Sequence, residues 1–95
     1  MIRHVVFFSA KDQNDVDVIM QGLSVLKTNP HVDHIEISRN LQTDELTGNM
    51  VDVIVYAEFS DEEQLAAYKA HPVYQQSIAK VRPLRELRVA ADFKA

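Results

Sequence analysis

Residues 2–9 carry Ile2, Val5, Val6, Phe7 and Phe8. β-Branched and aromatic side chains at both alternating positions predict a strand covered on both faces. The period then changes. Val16, Ile19, Met20, Leu23 and Leu26 recur at helical spacing and form one apolar stripe. Asp12 to Asp15 offer N-caps and acidic first-turn residues for that helix, and Asn29-Pro30 ends it. Residues 32–39 set Val32, Ile35 and Ile37 among polar neighbours and predict a second strand. The polar run from Asn40 to Asn49, with Gly48, predicts a loop. Residues 50–59 alternate strictly and predict a third strand. Val51, Val53, Val55, Ala57 and Phe59 share one face, and Asp52, Ile54, Tyr56 and Glu58 the other. The second set is mixed, so that face meets water or a partly polar cavity. Ser60-Asp61-Glu62-Glu63 predicts a capping box, the Ser60 hydroxyl accepting from the Glu63 N–H while Glu63 reaches back. A helix follows through Leu65, Ala66, Ala67 and Tyr68. Pro72 breaks or restarts it, and helix resumes through Ile78 and Val81 to about Pro83. Residues 86–93 predict a fourth strand with Leu87, Val89, Ala91 and Phe93 on one face.

The element order is therefore βαββαβ. It predicts an α+β, ferredoxin-like domain: a four-stranded antiparallel sheet with its helices on one face. That leaves the other, largely apolar sheet face bare, and a second copy is its simplest cover. Two such sheets facing each other enclose a barrel-like space, a dimeric α+β barrel. The 95 residues fit a single domain, residues 1–95, of modest burial. With no cysteines, disulfides, thiolate metal sites and a Cys nucleophile are excluded, so association is the available route to further burial.

The net charge of −4 argues against nucleic acid as a partner. No apolar run approaches the roughly 18 residues a membrane span needs. The opening apolar run is too short for a signal peptide, which makes the cytoplasm the expected compartment. Gly22 and Gly48 alone build no phosphate loop, and no serine sits in a nucleophile elbow, so neither a cofactor nor a covalent mechanism is expected. No metal is expected either. His31 and His34, with Asp33 between, point to opposite faces of a strand and cannot easily share an ion. Lys80, Arg82, Arg85 and Arg88 form a local basic cluster. It suits a phosphate or carboxylate, but Glu86 interrupts it and a solvated face is the expectation.

Ile2-Arg3-His4-Val5-Val6-Phe7-Phe8, Ser60-Asp61-Glu62-Glu63, Tyr68, His71-Pro72 and Asp92-Phe93 together resemble the stress-responsive dimeric α/β-barrel (Dabb) family along nearly the whole chain. The resemblance implies a dimeric barrel with a nearby cavity. Members include stress-associated plant proteins and a cofactor-independent plant polyketide cyclase. In that cyclase a Tyr, a His-Pro-x-His motif and a late Asp serve the site. Tyr68, His71-Pro72 and Asp92 match them, and His4 matches a pocket histidine on the first strand. The motif's second His, the cyclase's base, is Tyr74 here. A tyrosine with a pKa near 10 is a poor base at neutral pH, so the resemblance carries over pocket positions rather than cyclase activity.

His4, Tyr68, His71, Tyr74 and Asp92 are thus the candidate ligand-binding residues, with His71, Tyr74 and Asp92 the catalytic candidates. Each has a plainer alternative. His71 could tie the helix break, His4 could be a satisfied interior histidine, Tyr68 could simply pack on the sheet, and Asp92 could be solvated. Two functions remain open. One is a homodimeric module, non-catalytic or holding a small apolar or aromatic molecule. The other is a cofactor-independent enzyme moving a proton on an aromatic or polyketide-like substrate, with His71 as acid or base and Asp92 orienting a partner. Dimeric α+β barrels also carry out monooxygenation and lactone isomerisation, so fold alone does not choose the reaction.

Overall fold

The structure, a computed structural model, describes residues 1–46, 48 and 50–95. Its strands are β1 (Ile2–Ala10), β2 (His34–Arg39), β3 (Val53–Phe59) and β4 (Arg85–Lys94); its helices are α1 (Val16–Ser24), α2 (Glu62–Ala70) and α3 (Pro72–Val81). The sheet order is β2-β3-β1-β4, with every neighbouring pair antiparallel. This is the ferredoxin-like arrangement. The chain alternates across the sheet, so Ile2, His4, Val6, Phe8 and Ala10 of β1 and Val53, Val55, Ala57 and Phe59 of β3 all bury one face. The helices cover that face with Val16, Ile19, Leu23, Leu26, Leu65, Tyr68 and Val81. Among the described residues, no helix is long and apolar enough to cross a membrane.

Three local expectations change and a fourth is narrowed. The first helix keeps its stripe but not its pitch: Val25–Thr28 tightens into a 3₁₀ turn, through which Leu26 still reaches the core. Asn29 must leave the helical region before Pro30, and it does, at φ −70° and ψ 125°. The third strand starts at Val53 rather than Met50, and Asp52 is buried instead of alternating outward. Its carboxylate accepts the Ala10 N–H at 2.8 Å and the Gln13 side-chain amide at 3.1 Å. There β1 slips register against β4, and Asp52 satisfies a donor beside the slip. The capping box moves on by one residue. Asp61, not Ser60, is the cap, accepting the Gln64 N–H at 2.8 Å while the Gln64 side chain accepts from the Ser60 N–H. A carboxylate is the stronger acceptor there, and the Ser60 hydroxyl is drawn to Asp33. Finally, Pro72 restarts the helix outright. It occupies the first position of α3, where its missing N–H costs nothing, and His71 is the extended hinge.

α3 lies close against α1. A Cβ on Gly22 would stand 3.0 Å from the Val81 side chain, and the Ser77 hydroxyl donates to the Gly22 carbonyl at 2.9 Å. Asn29 ties the end of the first crossover to α2, its side-chain amide donating to the Tyr68 carbonyl at 3.0 Å. These contacts fix the two helices that roof the site below.

The loop expected at Asn40 to Asn49 has no helix or strand at its described positions; Thr47 and Asn49 lie outside the described residues. The other sheet face carries Val5, Phe7, Ile54, Leu87, Val89, Ala91 and Phe93, with His34, Glu36, Tyr56 and Glu58 toward the β2 edge. Val89 and Phe93 are each 49% exposed there.

Candidate functional site

β4 turns Arg88, Ala90 and Asp92 toward the helices, because they pair with Phe8, Val6 and His4 of the buried face. None of the three is a large apolar side chain, so the space between β4 and α3 stays unfilled. A cavity of about 250 Å³ results. Its floor is His4, Val6 and Phe8 with Val55; Leu23 and Leu26 close the back; Tyr68, Tyr74, Ser77, Ile78 and Val81 form the roof. Arg82, Arg85 and Arg88 complete the lining. The sequence pointed to a space between the sheets of two copies. This cavity lies instead inside one protomer, on the helix side of the sheet.

His4 is 2% exposed and lies opposite Asp92 across the β1–β4 ladder. Its Nδ1–H donates to the Asp92 carboxylate. A carboxylate only accepts, so the proton sits on Nδ1 and the lone pair on Nε2. Burial is the largest influence on the imidazole and holds its pKa below the ordinary 6.5; the bond to Asp92 works in the other direction and loses. His4 is therefore neutral at pH 7, with an accepting Nε2. Phe59 and Tyr68 meet its ring edge-on at 6.2 and 6.3 Å.

Tyr68 is 1% exposed, and burial pushes its hydroxyl well above the usual tyrosine value, with Tyr74 adding to the shift. It stays protonated and is a standing donor. Among the described residues, neither the Tyr68 hydroxyl nor His4 Nε2 has a hydrogen-bond partner, and neither is sealed from solvent. Both thus remain open to whatever enters the cavity. Tyr74 packs edge-on against Tyr68 at 5.4 Å, and its hydroxyl accepts from Arg88 Nη2 at 3.3 Å.

The structure brings together His4, Tyr68, Tyr74 and Asp92. It does not bring His71 to them. The His71 Nδ1 accepts the Val73 N–H at 3.1 Å and caps α3, and its ring faces His31 at 5.8 Å. Its free nitrogen is consequently a donor, and the ring is absent from the cavity wall. Restarting the helix at Pro72 takes up the lone pair that a base would need.

The basic cluster is also placed differently from expectation. Arg82 and Arg88 are exposed and Arg85 is half-buried, yet all three line the cavity instead of a merely solvated face. Lys80 is exposed and is not part of that lining. Spacing alone hid this, since it depends on the turn between α3 and β4 carrying Arg85 around to the side where Arg88 points. Among the described residues, no group of three or more His, Cys, Asp or Glu side chains could hold a metal ion. His34 pairs instead with Glu36 at 2.9 Å on the open face.

A model of the Dabb family, the stress responsive A/B barrel domain, matches residues 2–95. No curated protein sequence matches the chain. Among solved structures, a dimeric ferredoxin-like protein of unknown function from Thermobifida fusca is 26% identical, with a TM-score of 0.81 over 99% of this chain and 90% of that one. A Dabb family protein with a ferredoxin-like fold from Mesorhizobium loti is 20% identical, with a TM-score of 0.79 over 99% and 95%. SnoaB, a cofactor-independent oxygenase from Streptomyces nogalater, is 14% identical, with a TM-score of 0.71 over 99% and 91%, a likeness of fold alone.

Proposed function

The chain belongs to the stress responsive A/B barrel (Dabb) family, and on that premise we propose that it acts as a single-domain homodimer holding a small, mainly apolar or aromatic molecule in the helix-side cavity of each protomer. The cavity carries this reading. Half of its fourteen lining residues are apolar, among them Val6, Leu23, Leu26, Ile78 and Val81, and its polar groups come from His4, Tyr68, Tyr74, Ser77 and the three arginines. At about 250 Å³ it falls just below the roughly 300–1,000 Å³ of pockets for drug-sized ligands. A one- or two-ring molecule fits that space. The homodimer reading rests on the open face, where Phe7, Val89 and Phe93 need a cover, and on the dimeric state of the Thermobifida relative.

Fluorescence titration with 1-naphthamide tests the cavity. Saturable binding at one site per chain is expected, and Ile78→Trp, which fills the space, abolishes it while leaving the circular dichroism unchanged. No saturable binding to the wild type, or full binding to Ile78→Trp, retires the proposal.

The His4–Asp92 pair favours a second reading, cofactor-independent proton transfer. Here His4 Nε2 takes a proton from a carbon beside a carbonyl, Asp92 steadies the imidazolium that forms, and the Tyr68 hydroxyl donates to the oxyanion. His4 takes the role that sequence gave to His71, and Tyr74 lines the pocket. Deuterium uptake into the methyl group of 1-acetonaphthone, followed by NMR, is the check. The wild type should accelerate exchange over buffer and His4→Gln should not. Equal rates with and without protein leave a binding module only.

A further inference from the structure

We infer that the cavity is built for an amphiphile whose anionic oxygen head group, a carboxylate or phosphate, is held by Arg82, Arg85 and Arg88 while its apolar body lies over Val6 and Ile78. This deepens the proposed cavity function and rests on it. Three guanidinium groups, from the turn after α3 and from β4, line one cavity. The chain has 14 acidic residues against 10 basic ones, and among the described residues Arg39, paired with Asp17, is the one arginine of five held in an ion pair. Among the described residues none of the three has a carboxylate within ion-pair distance. Their one side-chain hydrogen bond is Arg88 to the Tyr74 hydroxyl, itself part of the cavity lining. Grouped like charges repel unless an anion sits among them. The guanidinium fork matches the paired oxygens of a carboxylate or phosphate.

The arrangement also sets the ligand's direction. Arg88 and Asp92 are four residues apart on β4, about 13 Å at strand rise. The head group therefore sits at the arginine end, and His4 Nε2 with the Tyr68 hydroxyl meets a second polar group at the other. Lys69 and Arg88 are the cations that act on His4 from α2 and β4. The site is thus electropositive around a neutral imidazole, on a chain of net charge −4.

The test compares three probes with one ring system, 1-naphthoate, 1-naphthyl phosphate and neutral 1-naphthamide, titrated into the full chain at low salt. At least one anion should bind about tenfold tighter than the amide, and the tighter anion names the head group. In Arg85→Gln/Arg88→Gln that preference should fall below about threefold. Arg82→Gln, exposed and outside the strands, gives an independent measurement if the double variant does not fold; anion affinity should drop about threefold relative to the amide there. Amide binding equal to both anions overturns the inference and leaves the cavity proposal standing. A preference that survives the double variant, or an unchanged anion affinity in Arg82→Gln, also overturns it. Anion binding that persists in Ile78→Trp marks a surface ion site and overturns it as well. Failure of all three probes to bind removes both proposals together.

Discussion

The two faces of the sheet are built from similar residues and live differently. On β1, Ile2, Val6 and Phe8 are buried under helices, while Val5 and Phe7 on the opposite face are only half-buried. Side-chain character is nearly the same, so what covers each face decides its fate. The faces also treat a histidine–carboxylate pair differently. His4–Asp92 lies under the helices, where burial lowers the imidazole pKa; His34–Glu36 lies on the open face, where the hydrogen bond to Glu36 raises it. The helix face thus gathers the polar groups of the cavity, and the open face is the one proposed for assembly.

The largest effect should come from the helix face. Phe59 is fully buried with its ring 4.9 Å from Tyr68. Phe59→Ala should cost about 3–5 kcal/mol, much of the roughly 5–15 kcal/mol that holds a small domain together. Urea unfolding should show a lower midpoint at unchanged slope. Phe7→Ala, measured at low concentration, should cost clearly less. Equal costs at high dilution would erase the distinction between the faces.

The open face should answer next, in assembly rather than folding. Where the proposed dimer packs sheet on sheet, Val89→Asp puts a charge into that contact, and a two-fold assembly would do so from both copies. The dimer dissociation constant should rise at least about 100-fold by sedimentation equilibrium. Affinity for 1-naphthamide should stay within about twofold, because the cavity lies across the sheet. A variant that remains dimeric would show that the copies meet elsewhere.

A smaller effect separates the faces by pH. His4 resists protonation when folded, whereas the unfolded chain takes the proton near 6.5. Its contribution is therefore full above pH 6.5 and is lost as pH falls from there through the lowered folded value. Urea midpoints at pH 7.5 and 5.5 should drop on acidification, and His4→Gln should flatten part of that drop. A wild-type gain on acidification, lost in His4→Gln, would mean that Asp92, not burial, governs the site.

Most of this architecture could be read in the chain because period is local. The alternation from Val53 to Phe59, the helical stripe from Val16 to Leu23 and the break at Pro72 each follow from neighbours a few residues apart. The site was less legible because it depends on register. His4 and Asp92 are 88 positions apart, and only the β1–β4 pairing sets them opposite each other. His71 looked chemical because histidine before proline stands out, but the same proline demanded a cap and took its lone pair. The arginines looked solvated because charge in sequence says nothing of the unfilled volume beside it.

The smallest effect tests the cause of each histidine's shift. The His34 titration midpoint, followed by NMR, should lie above 6.5 and that of His4 below it. His34 gains its proton more readily when folded, so its small contribution is present below pH 6.5 and fades as pH rises through the folded value. Glu36→Gln should return His34 toward 6.5 and leave His4 in place. Salt should do the same, since the exposed pair is screened while burial is indifferent to ions. If salt moved His4 as far as His34, its low value would come from the surrounding cations, Lys69 and Arg88, and the helix face would owe its chemistry to charge rather than to exclusion of water.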